Sequence, residues 1–477
     1  NGGMISVTVV FCKAENGIRE FCLFRGLGNG YKRQHIVGSI FDRGPRPDTI
    51  IEFLMGHHSF DIQWGNHDIL WMGAAAGSKA CVATVVRNNV KHRNMDVLEK
   101  GYAISLRPLI LFAQRIYTDY EDPDLAALEA ISVILAKIEG QIIKRHPEYE
   151  MDDRLLLDKI DYQNKTVRAY GKDWPMKTVN FPTVDPTDPY KLTEEEETIL
   201  NGLTNSFRES ERLESHIRFL YKAGSLYLCF NNNLLFHGCV PLDKEGQFES
   251  VLVDGNYYSG KRYMDEIDHI ARRAYSKERK PNDLDFMWYL WGGCKSPFCG
   301  RVIKTFERMW VTDKAAWVEP QNDYYVFCKQ EAYCRMVLRE FGLYGDFCHI
   351  INGHLPVKVI QGEKPVKGGG VMIIIDGGFC KAYQKTTGIA GYTLIFNSHS
   401  MRLKAHKPFK GKANALQSNA DMQSESEVIA YSPTRIMVND TDNGRQLRDQ
   451  IADLTELAKI YQSNHLMMQD TKKRETF

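Results

Sequence analysis

Between Gln34 and Asp68 the chain runs through one arrangement twice, and that repetition limits what it can fold into. The apolar run His35-Ile36-Val37 ends in Gly38 and then Ser39-Ile40-Phe41-Asp42-Arg43-Gly44. The run Phe60-Asp61-Ile62-Gln63-Trp64 ends in Gly65-Asn66-His67-Asp68. A buried strand that stops at glycine and spills polar residues delivers them to the carboxyl edge of a sheet, where open α/β folds hold ligands. Between the two, Ile50, Ile51, Phe53 and Leu54 follow Pro47 at helix-like spacing. The unit reads β-loop-α-β-loop.

The residues delivered suit phosphoester hydrolysis at a metal. Asn66 offers a neutral oxygen ligand, and His67 is a proton donor for a leaving alkoxide. Asp42 is placed to fix that imidazole's tautomer. The planar guanidinium of Arg43 matches phosphate oxygens. An Asp-Arg-Gly alone reads as a turn; with Gly-Asn-His-Asp behind a second strand it is far more specific.

The pair resembles the second and third motifs of calcineurin-like metallophosphoesterases. The longer wording HIVGSIFDRGPRPD and DIQWGNHDILWMGAAAGS is similar to one branch, the class III fructose-1,6-bisphosphatases of bacteria. Further similar stretches are GSLYLCFNNNLLFHGCVPL, MWYLWGGCKSPFCGR, HIINGHLPVK and VMIIIDGGFCKAYQKTTGIAGYTLIFNSHSMRL, so the resemblance spans roughly residues 34 to 460. It implies an α/β fold, the calcineurin-like four-layer αββα sandwich. It also implies hydrolysis of fructose 1,6-bisphosphate to fructose 6-phosphate and phosphate in gluconeogenesis, with Mn2+ at a two-metal site. The catalytic residues are then His67, Asp42 and Arg43, and the ligands of one metal are Asn66, His237 and His354. The two histidines each follow an apolar run and precede a glycine or a loop.

Two features depart from the family pattern. Ser39 stands where the pattern has the aspartate that bridges the metals. Upstream, residues 1–33 contain no aspartate, and none of the fourteen histidines has an aspartate two places before it. The family's Asp-x-His ligand pair is therefore missing, and the start of the chain reads as truncated or replaced. If two metals bind, Glu15 or Glu20 are the candidates to replace the lost ligands. Glycine-rich Phe24–Arg33 lacks the Lys-Ser/Thr ending of a phosphate loop and reads as a plain loop. Alternatives stay open: a non-catalytic homologue or binding subunit, or a phosphoesterase of the same fold with another substrate.

The rest of the chain gives weaker signals. Met287–Arg301 concentrates aromatic residues around Lys295 and Arg301, which reads equally as a sugar-phosphate wall and as a packed aromatic cluster. Lys358 and Lys381 are further substrate-binding candidates, near His354 and Asp376. Lys304 and Arg308 read as solvent-facing on a helix. Asp122-Pro123 starts a helix, Thr193 with Glu196 reads as a capping box, and Glu194–Glu197 suit a helix N-terminus. These divisions follow: an atypical segment 1–33, phosphatase core 34–99 and 223–442, a helical insertion 100–222, and a C-terminal helix with a polar, mobile tail over 443–477.

A net charge of +1 excludes a global field for nucleic acid. No apolar run approaches the roughly 20 residues a membrane span needs, and the start lacks signal-peptide features. Eleven cysteines, an odd number without a Cys-x-x-Cys pair, fit reduced thiols in a cytoplasm. Cys294 and Cys299 lack the second ligand pair of a zinc site. The partner expected is a sugar bisphosphate, and a homo-oligomer is compatible with everything above.

Overall fold

The computed structural model describes residues 6–10, 32–57, 59–376, 381–389, 391–408, 417 and 424–474. Most of the atypical start, with Glu15, Glu20 and the glycine-rich Phe24–Gly30, lies outside them, as do His58 and the side chain of Lys381.

The fold is mixed α/β. A seven-stranded sheet has the parallel trio Ser6–Val10, Lys32–Val37 and Phe60–Gln63 at its centre. Gly224–Ser225 flanks the trio on one side. On the other, Gly391–Phe396, Ser400–His406 and Ser424–Tyr431 add an antiparallel meander. Part of the atypical start is thus a strand inside the main sheet. Val10 pairs with Ile36, so the chain leaves that strand at the same edge as Gly38 and Ser39.

A second, five-stranded sheet is built on the parallel strands Asn233–Phe236, His349–Asn352 and Met372–Ile374. The two sheets meet face to face. His35, Leu394 and Met401 of the first share a crevice with Phe230, Leu235 and Ile351 of the second. Ile36, Val37 and Ile62 of the first sheet and Leu234 and Ile350 of the second are fully buried, as expected for parallel strands covered on each face.

Local sequence explains the helices that matter for the site. Pro47 opens the helix Pro47–Met55, where its missing N–H is no loss. The helix Asn66–Ala76 is apolar almost all round and correspondingly buried. Ser78 caps the next helix, Lys79–Lys91, by accepting from the amide of Cys81.

In the region 100–222, the helix Pro123–Arg145 starts at the cap Asp122, and Thr193 and Glu196 form the reciprocal capping box. Glu196 also pairs at 2.7 Å with Lys137, both fully buried. The region is not wholly helical: Ile160–Asp161, Thr166–Ala169 and Lys172–Pro175 make a three-stranded antiparallel sheet. These strands are too short to carry a readable alternation. At the far end the helix continues over Asp442–Arg474, past the point where a mobile tail was expected. Residues 464–474 hold neither proline nor glycine to stop it. Leu447, Ile451, Leu454, Leu457 and Ile460 lie exposed along it. Among the described residues no helix is long and apolar enough to cross a membrane.

Candidate active site

Four chain segments converge at the carboxyl edges of the two sheets. Gly38 and Gly65 make this possible. A Cβ on Gly38 would stand 2.6 Å from the amide nitrogen of Gly65, and one on Gly65 would stand 2.4 Å from that of Ser39. The two motif loops therefore pass backbone against backbone, with room for no side chain at either crossing.

Asp68 ties them together. Its carboxylate accepts from the amides of Ser39 at 2.7 Å, Phe41 at 3.2 Å and Gly65 at 2.9 Å. Burial outweighs these donors and pushes its carboxyl up to about 6. Ser39, Arg43 and His354 all hold left-handed backbone, with φ of 56°, 49° and 65°. That conformation is unfavourable for residues other than glycine and persists only where the surroundings enforce it. For Ser39 the enforcing contact is Asp68.

The loops bring His67 and Asp42 together: His67 Nε2 lies 3.2 Å from Asp42 Oδ1. The Asp42 carboxylate is buried and also accepts from the Tyr383 hydroxyl at 3.2 Å. Trp291 packs edge-on against the His67 imidazole, with ring centres 4.8 Å apart. Arg43 lies across the Tyr383 ring at 4.8 Å, and its Nε is 3.6 Å from Asp42. Asn94 donates to the Arg43 carbonyl at 2.8 Å and fixes the turn.

The expected ligands Asn66, His237 and His354 also line this one cavity. His237 Nδ1 donates to the Val37 carbonyl at 3.2 Å, which leaves the lone pair on Nε2. Asn352 clamps the loop behind it, its amide donating to the carbonyls of Phe236, His237 and Gly238. The His237 and His354 ring centres are 5.1 Å apart. The Ser39 hydroxyl sits 3.4 Å from Asn66 Oδ1 and 3.2 Å from His237 Nε2, so its one proton serves either acceptor.

These residues do not fit a manganese pair. Position 39 has no carboxylate, Asp42 is engaged with His67 and Tyr383, and Asp68 is turned to backbone amides. Among the described residues no three His, Cys, Asp or Glu side chains gather as a metal site. What remains in the cavity wall is a set of neutral oxygen and nitrogen donors, Asn66, His237 and His354.

The cavity itself has a volume of about 280 Å³. Six arginines or lysines line it against two carboxylates, Asp42 and Glu319. Arg43 and Arg301 were expected there. Lys295 and Lys358 are not in its wall. The Lys295 ammonium is neutralised between Glu150 at 2.8 Å and Glu249 at 3.1 Å. Lys358 is exposed, and its backbone amide donates to the Glu363 carboxylate. Nearness in sequence to the aromatic cluster and to His354 did not bring either lysine into the site.

Their place is taken by Arg87, Lys91, Lys304 and Arg308. Lys304 is buried with contacts to Asp153 and Glu307, whereas Arg308 lines the cavity and stays exposed, as the sequence suggests. Partial burial, followed by Arg87, Arg43 and Arg308, pushes the Lys91 ammonium down to about 8. The same burial and the neighbouring Arg43 and Lys91 push His92 down to about 4. Cys294 and Cys299 are free thiols, raised by burial.

Comparison with known proteins follows the same lines. A family model for Firmicute fructose-1,6-bisphosphatase matches residues 31–463. The chain is 46% identical over 465 residues to a class 3 fructose-1,6-bisphosphatase of Clostridium novyi (strain NT), covering 92% of this chain and 70% of the relative. It is 47% identical over 453 residues to the class 3 enzyme of Clostridium botulinum (strain Alaska E43 / Type E3), covering 90% and 69%. With that of Listeria innocua it shares 44% over 457 residues, covering 91% and 70%. No solved structure matches the chain.

Proposed function

Because the chain belongs to the Firmicute fructose-1,6-bisphosphatase family, we propose that its cavity hydrolyses the 1-phosphate ester of fructose 1,6-bisphosphate, leaving fructose 6-phosphate and phosphate. The observation that carries this reading is the His67–Asp42 pair, 3.2 Å apart in a cavity lined by cations. Asp42 accepts from Nε2 of His67, sets its tautomer and stabilises the imidazolium. The proton of that imidazolium goes to the departing sugar oxygen. Arg43, backed by the Tyr383 ring, holds phosphoryl oxygens through its planar fork. Trp291 keeps the imidazole in place and limits water around it.

A divalent cation such as Mn2+ is held in this reading by Asn66, His237 and His354. Bound there it supplies Lewis-acid polarisation of a phosphoryl oxygen. The two sheets that meet face to face support a calcineurin-like αββα sandwich as the finer description of the fold.

Phosphate release from fructose 1,6-bisphosphate, with manganese added and bound metal counted on the same sample, tests the proposal. Turnover should fall by about 10²- to 10⁴-fold in His67→Asn, the usual worth of a placed general acid. Turnover unchanged in that variant would remove His67 from the mechanism. One observation favours a second reading, a chain that binds the sugar bisphosphate without hydrolysing it: Ser39 occupies the place between Asn66 and His237 without a carboxylate. Binding without phosphate release at any manganese concentration would select it.

A further inference from the structure

The cationic part of the cavity wall comes from two short stretches with the same internal spacing. Thr84, Arg87, Asn88 and Lys91 occur at i, i+3, i+4 and i+7 of the Lys79–Lys91 helix, so one face of that helix is turned to the cavity. Arg301, Lys304, Thr305 and Arg308 repeat the interval where the chain enters the helix Thr305–Trp310, and all four line the same cavity.

This wall carries more positive charge than its own carboxylates satisfy. Glu319 is shared between Arg308 at 2.9 Å and Arg301 at 3.4 Å. Arg87 is 5% exposed, and its Nε donates to Ser132 at 3.0 Å. Its buried Nη2 makes no hydrogen bond among the described residues, and neither does the buried Nε of Arg301. A buried guanidinium nitrogen without an acceptor is unfavourable, which an arriving anion would relieve. Lys91 has no carboxylate within ion-pair distance among the described residues, and burial, followed by the neighbouring Arg87, Arg43 and Arg308, depresses its ammonium.

We propose that Arg87, Lys91, Arg301 and Arg308 form a second phosphate subsite, which takes the non-reacting phosphate of a sugar bisphosphate while Arg43 and His67 face the reacting one. The ligand class is a phosphate monoester dianion carried on the same sugar as the scissile ester. This inference rests on the phosphoesterase reading for which end reacts. The subsite's binding preference is measured independently of hydrolysis.

Calorimetric titration of the full chain with fructose 1,6-bisphosphate, fructose 1-phosphate and inorganic phosphate reads it directly. The bisphosphate should bind at least about tenfold tighter than fructose 1-phosphate, one or more charge-assisted contacts' worth. Lys91→Gln and Arg308→Gln should bring that ratio towards about one, and Lys91→Arg should restore it. Lys295→Gln and Lys358→Gln, outside the cavity, should keep the wild-type ratio. Circular dichroism on each variant separates lost binding from lost folding. A wild-type ratio near one, or a ratio unmoved in both glutamine variants, overturns the subsite. A preserved preference without phosphate release leaves the subsite standing and removes the hydrolytic reading. Phosphate release from both esters with equal affinity does the reverse.

Discussion

The two ends of the cavity are built by different means. At one end, Asp42, Arg43, Asn66 and His67 sit on loops that follow strands, each loop stopped and turned by a glycine. At the other, Arg87, Lys91 and Arg308 sit on helices that only tertiary packing brings together. The loop end holds its side chains through specific partners: Asp42 for His67, and Tyr383 for Asp42 and Arg43. The helix end is charge-rich and under-satisfied until something anionic enters. Chemistry that depends on a fixed proton path belongs at the first, and tolerant capture of charge at the second.

Removing what holds the loop end should give the largest effect. Asp68→Ala leaves the amides of Ser39, Phe41 and Gly65 buried without their acceptor. At about 1–3 kcal/mol for each lost partner, the variant should lose at least about 3 kcal/mol of stability in urea denaturation, and ligand binding with it. A loss under about 1 kcal/mol would mean that the loops hold themselves. No comparable loss is expected from Lys91→Gln, since that lysine has no ion-pair partner among the described residues; the contrast between the two variants sharpens the distinction between the ends.

A second test adds charge to the loop end. Ser39→Asp places a carboxylate between Asn66 and His237 on backbone that aspartate tolerates better than most residues. Manganese affinity, read by electron paramagnetic resonance, should rise by about tenfold or more, since a charged ligand joins a neutral set. Unchanged affinity would show that the two side chains do not form an ion site.

The smallest effect concerns pH at the helix end. With its ammonium pushed down to about 8 by burial and the neighbouring guanidinium groups, Lys91 should lose its charge as the pH rises through that range. The substrate phosphates are already fully ionised there, so bisphosphate affinity should weaken several-fold between pH 7.5 and pH 9 on the scale of one charge-assisted contact. Lys91→Arg, which keeps its charge, should flatten that profile.

The same contrast explains what the sequence could reveal. Strand, glycine and polar residues are adjacent in the chain, so Asp42, Arg43, Asn66, His67, His237 and His354 were legible without a structure. Nothing in the sequence singles out Arg87 and Lys91, and the spacing of Lys304 and Arg308 suits a solvent-facing helix. A polar helical stripe has the same spacing whether it faces water or a polar cavity. Lys295 and Lys358 misled in the opposite direction, because proximity along the chain says nothing of a carboxylate such as Glu150 or Glu249 arriving from elsewhere. The roles of Asp68 and Asn352 were hidden for a related reason: each acts on backbone groups of a different segment.

The contact between Gly38 and Gly65 has a consequence for anyone who would rebuild this protein. The two loops are cut to each other's backbone, with the nearest approach too close for a methyl group on either, and one carboxylate registers them both. They are thus a single unit of inheritance: a chimera that imports the 38–44 loop from a relative must bring the 65–68 loop with it, and the two can change together far more readily than either can alone.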